Sequence, residues 1–211
     1  QVFDIGIATH VAIKKLKNGV HPSMAGGINE NDNGNGSLMR ILPLLLILLP
    51  IKSRVERFKI VKEVSSITHA HIRSIIACFY YLEFALYLAQ KEDKVTIYDR
   101  LKSEIPAFLS QENISQNEIN RFERLLKGNI GELNVDAIQG NGYVVSTLEA
   151  SIWCLLTTEN YEDAVLKAVN LGDDTDTTAA VTGGLSAIRY GYKTIPKKWI
   201  AKLARHKDID D

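Results

Sequence analysis

Three carboxylates crowd four consecutive positions of the segment Leu171-Gly-Asp-Asp-Thr-Asp-Thr-Thr178. They are Asp173, Asp174 and Asp176, with Thr175, Thr177 and Thr178 beside them. Acids this close repel one another unless a proton or a cation neutralises them. Hard divalent cations such as Mg²⁺ take oxygen ligands of this kind. The same residues also suit a plain helix start, because Asp and Thr cap well and acids complement the helix dipole. Spacing alone leaves both open. A second chemical stretch is Asn31-Asp-Asn-Gly-Asn-Gly-Ser37, which runs into Leu38, Met39 and Arg40. Gly34 and Gly36 let a backbone bare several N–H groups toward an anion, and Arg40 could pair with a phosphate. An ordinary surface turn capped by Ser37 fits the same letters. His69 and His71 are two apart, so on a helix they point in different directions and make no zinc pair. The turn Gly140-Asn-Gly-Tyr143 could wall a ribose or an adenine, or simply start a helix with a half-buried Tyr. Glu149 lies in apolar surroundings where a charge needs a partner, and Arg40 is the partner expected for it. His10, His21 and His206 carry no argument for a site.

The elements that must position these residues read as helices. Ser53 with Glu56 forms a capping-box pattern, and Ser115 with Glu118 a second. The first opens a helix to about Ser66. The second opens one with Ile119, Phe122 and Leu126 on one face. Ile72, Ile75, Ile76, Phe79 and Leu82 recur at helical spacing, which predicts a long buried helix ending near Gln90. Ile97, Leu101, Ile105 and Leu109 mark another. Val144 to Thr157 is apolar nearly all round and should be central. Asn160 caps a helix through Asn170, and Gly172 suits its left-handed end. Small residues stud Thr177 to Tyr190 and allow close packing. Pro196 opens a last helix with Trp199, Ile200 and Leu203. The run Ile41 to Ile51, bracketed inside by Pro43 and Pro50, reads as one buried core helix; it is far short of the ~20 apolar residues that span a membrane. No strand is predicted. Gly26 to Gly36 is the main loop. The expectation is one all-α domain of eight to ten helices.

The chain has 211 residues, 45% hydrophobic and 24% charged, enough for one sizeable core. Its 25 basic and 25 acidic residues cancel, so nothing favours a nucleic-acid or membrane-surface partner. Cys78 and Cys154 sit in apolar helical patterns and read as buried thiols, which fits a reducing, cytoplasmic setting.

Three blocks, the first made of two stretches, together resemble the ADP-ribosylglycohydrolase family, of the dinitrogenase reductase-activating type. They are Asn141-Gly-Tyr-Val-Val-Ser-Thr-Leu-Glu-Ala150, Ala168 to Thr177, Gly34-Asn-Gly-Ser-Leu-Met-Arg-Ile-Leu-Pro43 and Ser66-Ile-Thr-His-Ala-His71. They fall in the family's order, and the resemblance runs from about the first residue to about Gly191. It implies a single compact multi-helix domain over 1–211. It implies a metal-dependent hydrolase that removes ADP-ribose from a modified acceptor such as arginine, on a protein or a small ADP-ribosyl compound. Asp174, Asp176 and Thr177 would be metal ligands for Mg²⁺, with two ions in the complete family site; Mn²⁺ is the alternative. Asn35, Gly36, Ser37, Met39, His69, Gly142 and Tyr143 would contact the ligand, and His71 would be structural. Two departures stand out. Asp173 replaces the second Gly of the family's Gly-Gly-Asp-Thr-Asp-Thr pattern. The family's opening Gly-Asp-Ala-Leu-Gly-like and Thr-Asp-Asp-Thr-like segments do not occur in these residues, and Asp4 is no substitute. The resemblance therefore implies an N-terminally incomplete domain whose water-activating acid lies elsewhere. That implies little activity alone, and self-association through an apolar face that the absent helices would cover. Two other readings remain: a non-enzymatic ADP-ribose-binding remnant or half of a split enzyme, and a metal-dependent phosphohydrolase.

Overall fold

The computed structural model describes residues 5–204; Asp4 and His206 lie outside them. Eleven α-helices and short 3₁₀ turns make up the regular structure of the described residues, with no strand among them. Among the described residues two isolated bridges occur, Gly27 with His69 and Gly34 with Tyr143. The helices are α1 (Ile7–Lys17), α2 (Leu45–Leu48), α3 (Arg54–Ser66), α4 (Ile72–Ala89), α5 (Lys94–Gln111), α6 (Gln116–Asn120), α7 (Glu123–Leu126), α8 (Val144–Leu156), α9 (Tyr161–Val169), α10 (Thr175–Tyr190) and α11 (Lys197–Ile200).

Two helices form the centre. In α4 nearly every residue from Arg73 to Leu88 is buried, and in α8 every residue from Val144 to Leu155 is. α4 packs on α3, α5, α8 and α10, while α10 lies against α8 and α9. Among the described residues α4 alone is long and apolar enough to cross a membrane, but 83% of it is buried within the fold. Its apolar surface is thus taken up by its neighbours. Phe58, Phe79 and Phe108 bind α3, α4 and α5 into one aromatic cluster, with ring centroids 5.0–5.5 Å apart. Cys78 and Cys154 are free and buried, as their apolar settings predicted.

Four expectations need correction. The run Ile41–Ile51 is not one buried helix. It breaks into a 3₁₀ turn at Leu42–Leu44 and the single turn α2, because Pro43 and Pro50 interrupt it. Leu46, Ile47 and Leu49 then face outward, at 74%, 59% and 46% exposure. The Ser115 capping box does not close: Ser115 makes no side-chain cap. Glu118 instead takes a two-pronged ion pair with Arg73 at 2.7 and 3.0 Å, a stronger bond than a neutral cap. The helix it was to open splits into α6 and α7. Arg40 does not pair with Glu149, which faces Arg124 at 3.3 Å. Finally, the helices outnumber eight to ten because several are single turns, and because α1 buries only Ala12 and so gave little periodic signal. Ile7 and Val11 on α1 are exposed, as are Met24 and Ile28 beyond it.

Candidate functional site

The acidic segment forms the start of α10. Gly172 and Asp173 both adopt left-handed backbone, with φ of 83° and 53°, and swing the chain from α9 into α10. Asp173 thus takes a conformation that glycine adopts freely and that costs most other residues about 1 kcal/mol; Asp is among the few that tolerate it. Its side chain is exposed. Asp174 follows as N-cap residue, its own N–H donating to Gly140 O at 2.9 Å. Asp174 offers no side-chain cap to α10. Its carboxylate is committed elsewhere.

The partner is Asn35, 139 residues away. Asn35 Nδ2 donates to Asp174 Oδ2 at 2.7 Å and to Thr147 Oγ1 of α8 at 2.8 Å. The loop that carries Asn35 is pinned on both sides. Asn35 N–H donates to Gly142 O, and Val144 N–H donates to Asn33 O. Ser74 of α4 donates to Asn33 Oδ1 at 3.3 Å, and Asn33 Nδ2 donates to Glu30 O at 2.8 Å. The loop is therefore a fixed wall, in contact with the acidic segment as the ligand-site expectation required.

His69 closes the wall from behind. It is 3% exposed, and burial, with Arg40 adding to it, pushes its pKa down to about 4. The ring is neutral at neutral pH. Its Nδ1 lies 2.8 Å from Thr68 Oγ1, which also accepts from Arg40 Nη2 at 2.8 Å. Thr68 Oγ1 thereby couples Arg40 to the ring. Nε2 lies on the side of Gly34, 3.6 Å from where a Cβ there would stand. Gly36 has no room for a side chain: a Cβ there would stand 2.8 Å from His69 Cε1.

These parts enclose a cleft of about 650 Å³. Of the residues singled out from sequence, Asn35, Gly36, Met39, His69, Asp174, Asp176 and Thr177 line it. Ser37, Gly142 and Tyr143 do not. Ser37 is fully buried, its hydroxyl accepting from the Cys78 thiol. Gly142 and Tyr143 brace the Gly34–Asn35 loop from outside. Arg40 points away, its guanidinium donating to Val64 O and Thr68. His71 caps α4, accepting from Arg73 N–H, which is the structural role expected of it.

Sequence reasoning missed part of the lining. Ile7, Ala8 and Thr9 line the cleft, as does Asp32. α1 starts at Gly6 with no side-chain cap and its first residues line the cleft; the free N–H groups of an uncapped first turn suit an anion. Nothing in the local letters marks this, since Gly-Ile-Ala-Thr holds no phosphate-binding pattern. Asp32 had a detectable signal: Asn29 and Asp32 have capping-box spacing, and the box forms.

The donors on this cleft are hard oxygens from Asp174, Asp176 and Thr177. That set fits a hard divalent cation in kind. It does not complete a shell: among the described residues no three His, Cys, Asp or Glu side chains close on one point.

The comparisons with known proteins agree with this architecture. The family model described as ADP-ribosylglycohydrolase matches residues 1–211. The chain is 33% identical over 211 residues to the ADP-ribosylarginine hydrolase Tri1 of Serratia proteamaculans (strain 568), covering 99% of this chain and 53% of that protein. It is 27% identical over 175 residues to the ADP-ribosyl-[dinitrogen reductase] glycohydrolase of Rhodospirillum rubrum, covering 83% of this chain and 52% of that protein. A solved structure, an ADP-ribosylglycohydrolase-related protein complex, superposes with a TM-score of 0.77 at 25% identity, over 97% of this chain and 66% of its own. The chain thus spans about half the length of the curated relatives it matches. Its helical fold and a family model that matches end to end establish that the chain belongs to the ADP-ribosylglycohydrolase family.

Proposed function

We propose that the cleft binds an ADP-ribosyl group and serves its hydrolytic removal from an arginine side chain. The observation that carries this reading is the Asn35–Asp174 hydrogen bond. It joins a Gly-rich wall to the acidic start of α10 in a cleft of nucleotide size. The uncapped first turn of α1 suits the diphosphate. His69, neutral and lining the cleft, suits a hydrogen bond to the ribose. The names of the relatives supply the acceptor: one is an ADP-ribosylarginine hydrolase.

Asp174, Asp176 and Thr177 would hold Mg²⁺, with Asn35 fixing the Asp174 carboxylate through its Oδ2. Bound there, the cation would supply Lewis acidity toward ribose oxygens and water. In the reaction, water adds to the anomeric carbon, the carbon–nitrogen bond to the acceptor breaks, and the guanidine leaves with a proton. That proton chemistry needs a general base, and Asp174 and Asp176 are taken up as cation ligands in this reading. The 211 residues contain no Thr-Asp-Asp-Thr-like segment. We therefore expect them alone to bind ADP-ribose but to turn over slowly, roughly 10²–10⁴-fold below a site with its base.

The test is calorimetric titration with ADP-ribose and Mg²⁺, together with product analysis on an arginine-ADP-ribosylated protein. Binding that needs Mg²⁺ and is lost in Asp174→Ala is expected, with ADP-ribose as the released product and no inorganic phosphate. Absence of ADP-ribose binding in Mg²⁺ or Mn²⁺ overturns the reading. Release of phosphate from a phosphate ester would favour a phosphohydrolase instead.

A further inference from the structure

Three carboxyl groups line the cleft: Asp174 and Asp176 at the start of α10, and Asp32. No Lys or Arg lines it among the described residues. Asp32 differs from the other two in how it is held. It belongs to the 3₁₀ turn Glu30–Asp32, and its Oδ2 accepts Asn29 N–H at 2.9 Å. Gly27 packs against its back, so that a Cβ there would fall on the carboxyl group. The carboxyl is thus braced by the fold on one side. It makes no ion pair among the described residues.

Its neighbours make that absence informative. Two arginines reach this loop, Arg73 and Arg121, and both go to Glu30, at 2.8 and 3.5 Å. Arg40 turns to the carbonyl of Val64. The adjacent exposed glutamate is paired, while the half-buried aspartate in the cleft is left without a cation. Leaving a part-buried carboxylate unpaired costs stability, and a cation carried in by the ligand removes that cost. A protonated guanidinium is the cation an ADP-ribosylated arginine brings, and its planar N–H fork matches a carboxylate.

We propose that Asp32 recognises the guanidinium of the acceptor, and so selects arginine over neutral acceptors such as serine. This rests on the ADP-ribosyl reading of the cleft. Asp32 is then a specificity residue in the cleft that also holds the metal-type ligands, and Gly27 is the position that lets it stand there.

The experiment compares the wild-type chain with Asp32→Asn, whose side-chain oxygen can still accept Asn29 N–H. Three ligands are titrated in Mg²⁺ buffer: free ADP-ribose, a peptide carrying ADP-ribosyl-arginine, and one carrying ADP-ribosyl-serine. The substitution is expected to weaken the arginine conjugate by roughly ten- to a hundredfold, the range of a charge-assisted hydrogen bond, and to leave the other two unchanged. Equal weakening of all three would assign Asp32 to the metal or to the fold and overturn the proposal, as would no weakening at all. A wild-type measurement guards against an unfolded variant: methylguanidinium should bind the ADP-ribose-loaded protein by NMR line broadening, and neutral urea at the same concentration should not. Indistinguishable behaviour of the two probes also overturns it. If ADP-ribose itself fails to bind the wild type, the reading of the cleft fails first, and this inference falls with it.

Discussion

Asn35 carries the join between the two halves of the cleft, so its removal is the sharpest perturbation of the site. The bond to Asp174 is short and goes to a carboxylate, and the bond to Thr147 is neutral. Charge-assisted bonds contribute about 1.5–3 kcal/mol and neutral ones about 0.5–1.5. Asn35 is 8% exposed, so water can replace it only poorly. Asn35→Ala should therefore lower unfolding stability by about 2–4 kcal/mol, read from urea midpoints at constant m-value. It should also weaken Mg²⁺-dependent ADP-ribose binding by roughly 10–100-fold, the usual effect of losing a group that orients a ligating side chain. Asn35→Asp sharpens the test. It sets a second carboxylate against Asp174 and loses both donors, so it should destabilise more than Ala without divalent ions. A cation-binding site predicts that Mg²⁺ restores part of that loss. Stability within 0.5 kcal/mol of wild type for Asn35→Ala, with unchanged ADP-ribose affinity, would refute the claim that this hydrogen bond builds the site.

Two further outcomes follow from burial and close packing. Burial raises the Glu149 pKa to about 7 in spite of Arg124 at 3.3 Å; the folded state then holds more protons than the unfolded one between the ordinary value of 4.5 and about 7, so stability falls as pH rises through that window, by about 3 kcal/mol in all. Glu149→Gln should raise stability near pH ~8 and flatten the difference between pH ~5 and ~8 in urea titrations, and an unchanged pH slope would show that Glu149 is not its source. Gly36→Ala should cost about 1–3 kcal/mol by driving a methyl group into the His69 ring, with weaker ADP-ribose binding; a variant that melts and titrates like wild type would mean the loop can retreat.

What could be read from the sequence was whatever a local pattern determines. α3, α4, α5, α8 and α9 follow from helical spacing and from the Ser53 and Asn160 caps, because a helix that buries one face must repeat its apolar residues. The acidic start of α10 and the Asn35 loop were recognisable as chemistry, and the fold brings them into contact. The misses have tertiary causes. Glu118 looked like a capping residue, and a buried arginine on another helix took it. Ile41–Ile51 looked like a core helix because composition does not register which side of a proline-broken turn faces out. α1 escaped notice because its apolar residues do not line up on one buried face. Asp32 offered only its capping-box spacing with Asn29; the glycine behind it and the unshared carboxyl oxygen, which set it in the cleft, are spatial facts.

Arg40 shows how a charged residue in a ligand-site motif can act without touching the ligand. Its position after the Gly-rich loop suggested a phosphate partner, yet its guanidinium reaches back to the C-terminal end of α3, donating to Val64 O and Thr68 Oγ1. Cations suit that end of a helix, where carbonyls lack intrahelical partners. The consequence passes along the chain of contacts. Arg40 holds Thr68, and Thr68 Oγ1 in turn lies 2.8 Å from His69 Nδ1. Burial and the same positive charge hold the imidazole neutral, so the ring adds no charge to a cleft that already carries three carboxyl groups. The motif's arginine therefore belongs to the scaffold, and the polarity of the cleft wall is set one residue further in.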